Sequence, residues 1–171
     1  MKFRLALVGF GRVAQGLARI LAERRLHLKR QFGFDYKSKA GLSIDRLLSL
    51  AQKEGSVKDY PGGRKGLSAA ETIERADANV LVEATWTNLK DGEPGLTHIR
   101  KALQEGLHVV TTNKGPIALA YHELAALARR RRCHLRFEGT VLSGTPAINL
   151  ATEALAGSTI KSIRGILNGT T

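Results

Sequence analysis

The sequence predicts an α/β fold: a doubly wound parallel sheet with helices on both faces, followed by the start of a second domain. Three observations predict it. Short apolar runs alternate with helical patterns along most of the chain, and a glycine turn joins the first run to the first helix within about ten residues of Met1. No internal repeat or low-complexity tract interrupts the alternation.

The elements follow in order. Phe3 to Val8 is an apolar run of strand length, and Gly9-Phe10-Gly11 punctuates it. Val13, Leu17, Ile20 and Leu21 then recur at helical spacing, with Glu23-Arg24-Arg25 on polar positions. A doubly wound domain needs its second strand next. Phe32 to Lys37 begins one, but Ser38-Lys39-Ala40-Gly41 cuts it short, so the second strand is predicted to be truncated near 37–41. Leu42, Ile44, Leu47 and Leu48 start another helical pattern, and a further one spans Ala69 to Ala76. Asn79 to Ala84 is a strand built on Val80, Leu81 and Val82. A helix around His98 to Glu105, with Gly106 as its C-cap, leads into a strand over Leu107 to Thr112. A helix over Tyr121 to Arg130 and a strand over His134 to Glu138 complete the alternation. The division is therefore 1–138 for the sheet domain and 139–171 for the start of a second domain.

Bulk properties narrow the partners. With 171 residues the chain has room for one full domain and little more. No apolar run reaches the roughly 18 residues that cross a bilayer, and strand-like sequence from Phe3 leaves no room for a signal peptide. The single cysteine, Cys133, excludes an internal disulfide and suits a reducing cytoplasm; it reads as a small structural side chain at a strand edge. A net charge of +12 fits either nucleic acid or a phosphate-bearing cofactor. The densest run, Arg129 to Arg132, follows the helical pattern Leu119, Leu124, Leu127, where cations complement the helix dipole. No aromatics interleave with it, so a base-stacking surface is not expected, and neither nucleic acid nor membrane is an expected partner.

Gly9-Phe10-Gly11-Arg12-Val13-Ala14 fits the fingerprint of a Rossmann-type dinucleotide-binding turn, with Ala14 in the third small position. Gly9 permits the tight turn, Gly11 lets a pyrophosphate approach the backbone, and Ala14 lets helix and strand pack closely. Free N–H groups at the helix start would receive the phosphates. NAD-binding versions place an acid about 20 positions on, to bond the ribose 2′-hydroxyl. Asp35 has that spacing but no apolar strand before it, so it reads either as that acid or as a turn residue. Lys37 and Lys39 offer charge for an NADP 2′-phosphate, or are solvated surface lysines.

Three further segments extend the pattern: Val82-Glu83-Ala84-Thr85-Trp86-Thr87-Asn88; Val109 to Ala118, which contains Thr112-Asn113-Lys114-Gly115-Pro116; and Phe137 to Pro146 with Ile163 to Thr171 near the end. With the glycine turn, in this order, they resemble homoserine dehydrogenases, especially the short archaeal type without a regulatory domain. The resemblance implies reduction of L-aspartate 4-semialdehyde to L-homoserine with NADH or NADPH, on the route to threonine, isoleucine and methionine. It also implies a homodimer for the full-length protein.

The resemblance assigns residues as well. Lys114 matches the family lysine that reaches nicotinamide and substrate; an ammonium there could hold a carboxylate or the developing alkoxide. Gly9, Phe10, Gly11, Arg12 and Val13 match the pyrophosphate side, while Ala84, Thr85 and Thr112 sit at strand tips facing the cofactor. Glu138, Val141, Ser143 and Thr145 match a loop that holds a monovalent cation, sodium, and Gly169 and Thr170 match the substrate entrance. The family's proton-donating lysine and substrate-binding acids are expected beyond position 171, which makes a truncated chain the expectation. Two other readings stand beside this one: a dinucleotide-binding module without turnover, and a basic nucleic-acid-binding protein.

Overall fold

Residues 3–36 and 41–168 are described in the computed structural model. Strands β1 (Leu5–Val8), β2 (Val80–Glu83), β3 (His108–Thr111) and β4 (Leu135–Arg136) lie side by side in chain order, all parallel. The helices are α1 (Arg12–Glu23), α2 (Arg25–Phe32), α3 (Ile44–Glu54), α4 (Ala69–Arg75), α5 (Gly95–Gln104), α6 (Lys114–Arg130) and the short α7 (Ala147–Asn149). A 3₁₀ turn occupies Glu138–Thr140, and a π turn over Leu150–Ala154 continues α7.

Register explains where the core lies. Leu81 pairs with Ala6 on one side and Val109 on the other, so these side chains share one sheet face. Leu81 and Val109 are fully buried there against Ile73 of α4, Ile99 and Leu103 of α5, and Leu124 of α6. Each such aliphatic side chain contributes about 1.5–3 kcal/mol by leaving water. Outside this core, α1 and α3 pack on each other and bury Ala14, Ala18 and Ala51. Cover on the second sheet face is uneven: Val110, between buried Val109 and Thr111, is 41% exposed.

Helix ends follow local chemistry. Ser68 and Glu71 form a reciprocal capping box at the start of α4, and Ser43 caps α3 by accepting the Arg46 N–H. Gly106 has the predicted left-handed backbone after α5. Arg129 and Arg130 occupy the last turn of α6, and the Arg131 guanidinium donates to the Gln104 carbonyl at the end of α5. The arginine run is thus largely tied to helix ends. The Cys133 thiol is half-buried beside β4, and burial pushes its pKa up, in keeping with a structural side chain.

The predicted second strand is absent among the described residues. Phe32 closes α2, Gly33 turns left-handed, and Phe34 packs its ring on Phe3 at 6.0 Å without forming a ladder. Residues 37–40 lie outside the described residues, and Lys37 and Lys39 with them. Among the described residues β1 is consequently an edge strand. The helix predicted from Tyr121 begins seven residues earlier, at Lys114, with non-helical backbone at Ala120. No helix among the described residues is long and apolar enough to cross a membrane.

Candidate functional site

The C-terminal ends of parallel strands leave a crevice where ligands gather in open α/β sheets. Here β1 ends at the glycine turn. Gly9 has φ +85°, and a Cβ built on it would lie 2.5 Å from the Ala84 carbonyl oxygen and 2.8 Å from the Thr85 nitrogen. Gly9 therefore does two things: it makes the turn and lets the turn touch the end of β2. The Gln15 side-chain amide donates to the Phe10 carbonyl at 2.9 Å and braces the same turn.

Gly11 behaves differently. It is the N-cap of α1 with extended backbone, and a Cβ there would meet nothing within 4 Å. No side chain caps this helix, and its first turn contains no acid. First-turn N–H groups have no intrahelical acceptor, so they and the helix dipole face the open space beside Gly11. An anion fits there.

Facing this wall are the ends of β2 and β3. The Glu83 side chain is fully buried at the end of β2. Its carboxylate accepts from the Thr85 N–H at 2.9 Å, from the Thr85 hydroxyl, and from the Thr111 hydroxyl at 2.8 Å. Burial alone would raise its pKa. Hydrogen bonds from His98, Thr85 and Thr111 outweigh that and hold the carboxyl below its ordinary value. Asn113 caps α6 by accepting the Gly115 N–H, and Lys114 is the first helical residue. Lys114 is exposed and forms no ion pair among the described residues. A Cβ built on Gly115 would collide with the Asn88 carbonyl oxygen, so only glycine lets α6 start this close to the 88–92 loop.

The walls enclose a cleft of about 500 Å³. Of the residues singled out in the sequence, Gly11, Arg12, Val13, Ala84, Thr85, Thr112, Lys114 and Ser143 line it. Gly9 and Phe10 stand behind it as turn backbone, and Glu138, Val141 and Thr145 are not part of its lining. Gly169 and Thr170 lie outside the described residues. Trp86, Thr87 and Gly139 also line the cleft and were not assigned roles from sequence. The lining has two cations, Arg12 and Lys114, and no carboxylate or imidazole. A phosphate-bearing cofactor fits this charge and shape.

Two predicted features have other partners. Asp35 accepts from Arg25 at 2.8 Å and pairs with Lys29 at 3.2 Å; these cations lower its pKa to about 2. Its carboxylate is engaged locally and is not part of the cleft lining. In the 138–145 loop, the Glu138 carboxylate accepts the N–H groups of Ile148 and Asn149, both at 2.9 Å, at the start of α7. Leu142 and Ser143 both have left-handed backbone, with φ 52° and 54°. No group of three or more His, Cys, Asp or Glu side chains is placed to hold a metal ion among the described residues.

Residues 9–138 match the family described as "Homoserine dehydrogenase, NAD binding domain". The NAD(+)-dependent homoserine dehydrogenase of Pseudomonas canavaninivorans is 44% identical, aligned to 99% of this chain and 52% of its own length. The homoserine dehydrogenase of Methanocaldococcus jannaschii is 39% identical over 98% of this chain and 53% of its own. A hyperthermophilic archaeal homoserine dehydrogenase solved in complex with NADPH superposes with a TM-score of 0.78 at 29% identity, covering 92% of this chain and 50% of that one. The chain spans about half the length of the curated relatives it matches.

Proposed function

The chain belongs to the homoserine dehydrogenase family and contains its NAD-binding domain, and from that premise we propose that it serves the NAD(P)H-dependent reduction of L-aspartate 4-semialdehyde to L-homoserine. One observation carries the reading beyond the family: the uncapped start of α1 and Lys114, without an ion pair among the described residues, face one cleft. The bound reduced dinucleotide would supply the hydride. The α1 N-terminus and Arg12 would neutralise its pyrophosphate. Lys114 would hold the substrate's carbonyl oxygen as negative charge develops there, and a fixed cation at that point favours the transition state over the aldehyde. Thr85 and Thr112 would face the nicotinamide side.

Either dinucleotide is compatible with the proposal, because Asp35 is engaged by Arg25 and Lys29 rather than offered to a ribose. A monovalent cation in the 138–145 loop is a further part of it. Glu138, Val141, Ser143 and Thr145 would hold that ion through backbone and hydroxyl oxygens, which suit a hard cation. The Glu138 carboxylate, already bonded to two N–H groups, would not be a principal ligand. Residues 139–171 would open the catalytic and dimerisation domain of a homodimer. In support, Ile160, Ile163, Ile166 and Leu167 expose apolar surface. A cytoplasmic setting completes the proposal.

A second reading is favoured by the cleft's composition. With no carboxylate, imidazole or second lysine in its lining, this part of the protein would hold the dinucleotide without turning it over. Oxidation of NADH and NADPH on adding aspartate semialdehyde, paired with calorimetric titration of each dinucleotide, separates the two. The full-length protein is expected to bind and turn over. Binding without turnover in the full-length protein would establish the second reading, and neither would refute both.

A further inference from the structure

Glu83 ends a run, Val80-Leu81-Val82, that would pack as well or better with a fourth aliphatic residue. A carboxylate buried there is unfavourable unless its oxygens are satisfied, and here they are. The pattern of that satisfaction has a direction. An ionised carboxylate only accepts hydrogen bonds, so the hydroxyls of Thr85 and Thr111 must both donate to it. Each hydroxyl then has only its lone pairs left to offer.

Asn113 uses both. Its backbone N–H donates to Thr111 Oγ1 at 3.0 Å, and its Nδ2 donates to Thr85 Oγ1 at 3.4 Å and to the Trp86 carbonyl at 3.2 Å. With the Nδ2 side committed to donation, Oδ1 is free to accept the Gly115 N–H at 3.2 Å. Gly95 of α5 packs so near that a Cβ built on it would sit 2.5 Å from Asn113 Nδ2, so the lack of a side chain at 95 is what makes room for the amide. Lys114 stands between Asn113 and Gly115, the two residues this network holds.

We infer that Glu83 is a positioning residue that fixes the polarity of the Thr85–Asn113–Thr111 relay and thereby sets where Lys114 enters the cleft. Its carboxylate is buried and is not part of the cleft lining; it acts through Asn113. The inference rests on the proposed role of Lys114 for its effect on turnover, but its structural half is measurable without any ligand.

The test uses the full-length protein with Glu83→Gln, which keeps shape but introduces a donor facing the two hydroxyls, and Thr111→Val, which removes one relay. Thr111→Ser restores the hydroxyl, and Ile73→Ala is a core control on α4. Amide exchange of the ligand-free protein should rise about tenfold or more at Asn113 and Gly115 in Thr111→Val, with no matching rise in α4. Turnover should fall by about 10- to 100-fold, as for a displaced reacting group, while calorimetric dinucleotide affinity stays within about threefold. Thr111→Ser should recover both. If Thr111→Val and Glu83→Gln fold, exchange as wild type at Asn113 and Gly115, and lose no more activity than Ile73→Ala, the inference is wrong. Altered exchange in a protein that binds no dinucleotide would sink the proposed function and leave the relay standing.

Discussion

Substituting Gly9 by alanine and Gly11 by valine should separate stability from binding at two positions with a single residue between them. At Gly9 the φ of +85° costs an L-residue about 1–2 kcal/mol. The new Cβ would also meet Ala84 carbonyl oxygen and carbon at 2.5 and 2.7 Å, and these are backbone atoms that cannot rotate aside. Ordinary carbon contacts lie near 3.5–4.0 Å, so the turn and β2 must part by about 1 Å, at an overpacking cost of about 1–3 kcal/mol. Together the loss is about 2–5 kcal/mol, a large share of the roughly 5–15 kcal/mol that holds a domain. At Gly11 the backbone is φ −75°, ψ −168°, open to any residue, and no atom lies within 4 Å of the new Cβ. Valine there should change stability by no more than about 1 kcal/mol, the scale of an N-cap change. It should weaken dinucleotide binding more than tenfold, or about 1.4 kcal/mol, because its branches fill the space beside the helix start. Urea denaturation read by circular dichroism gives the first quantity and calorimetric NADPH and NADH titration the second. A neutral Gly9→Ala, or a folded Gly11→Val with unchanged affinity for the preferred dinucleotide, would refute this assignment of the two glycines.

Other outcomes follow from the same geometry. Lys114→Ala in the full-length protein should reduce turnover by about 10²–10³-fold with little change in dinucleotide affinity, and Lys114→Arg should not fully restore it, since a planar fork replaces a point charge; steady-state kinetics beside direct titration decides. Asp35 titrates near pH 2 in the folded protein against an ordinary value of 3.8. Its pairing with Arg25 and Lys29 thus stabilises the fold above about pH 4 and fades as pH falls toward 2. Carboxyl NMR should locate that midpoint, and Asp35→Asn should shallow the acid limb of stability; a midpoint near 4 would contradict the pairing. Ser68→Ala removes half of the α4 capping box and should cost about 1 kcal/mol in urea denaturation, with a neutral result showing that the box is not stabilising.

Much of the site was legible because its chemistry is local. The glycine turn needs only a strand before it and a helix after it, and the alternation of runs placed both. The start of α6 was not legible, because Gly115-Pro116 reads as a break. In the first helical turn, however, proline loses an N–H that has no partner anyway, so the helix begins at Lys114 and tolerates both. α2 was hidden for the opposite reason. Arg25–Phe32 is polar on nearly every side and has no fully buried residue, so it shows no apolar stripe. The role of Glu83 depends on register, which sets it opposite Thr111, 28 residues away, and no short-range pattern reports that. Trp86, Thr87 and Gly139 enter the cleft through loop paths, and these too are fixed by tertiary packing. A run of apolar residues ending in glutamate was the one visible signal, and it pointed to the relay only once the strands were paired.

Trp86 is the chain's one tryptophan, 65% exposed, and it lines the cleft between the glycine turn and Lys114. Within this chain, therefore, indole emission comes from a single side chain in the lining of the candidate cleft. Reduced nicotinamide absorbs where indole emits, so arrival of the cofactor should dim that light and transfer it to the nicotinamide, whereas unfolding should shift the colour of an indole already so exposed only slightly. The candidate cleft thus carries a built-in label, and stopped-flow mixing could time cofactor entry and release there without attaching anything to the protein.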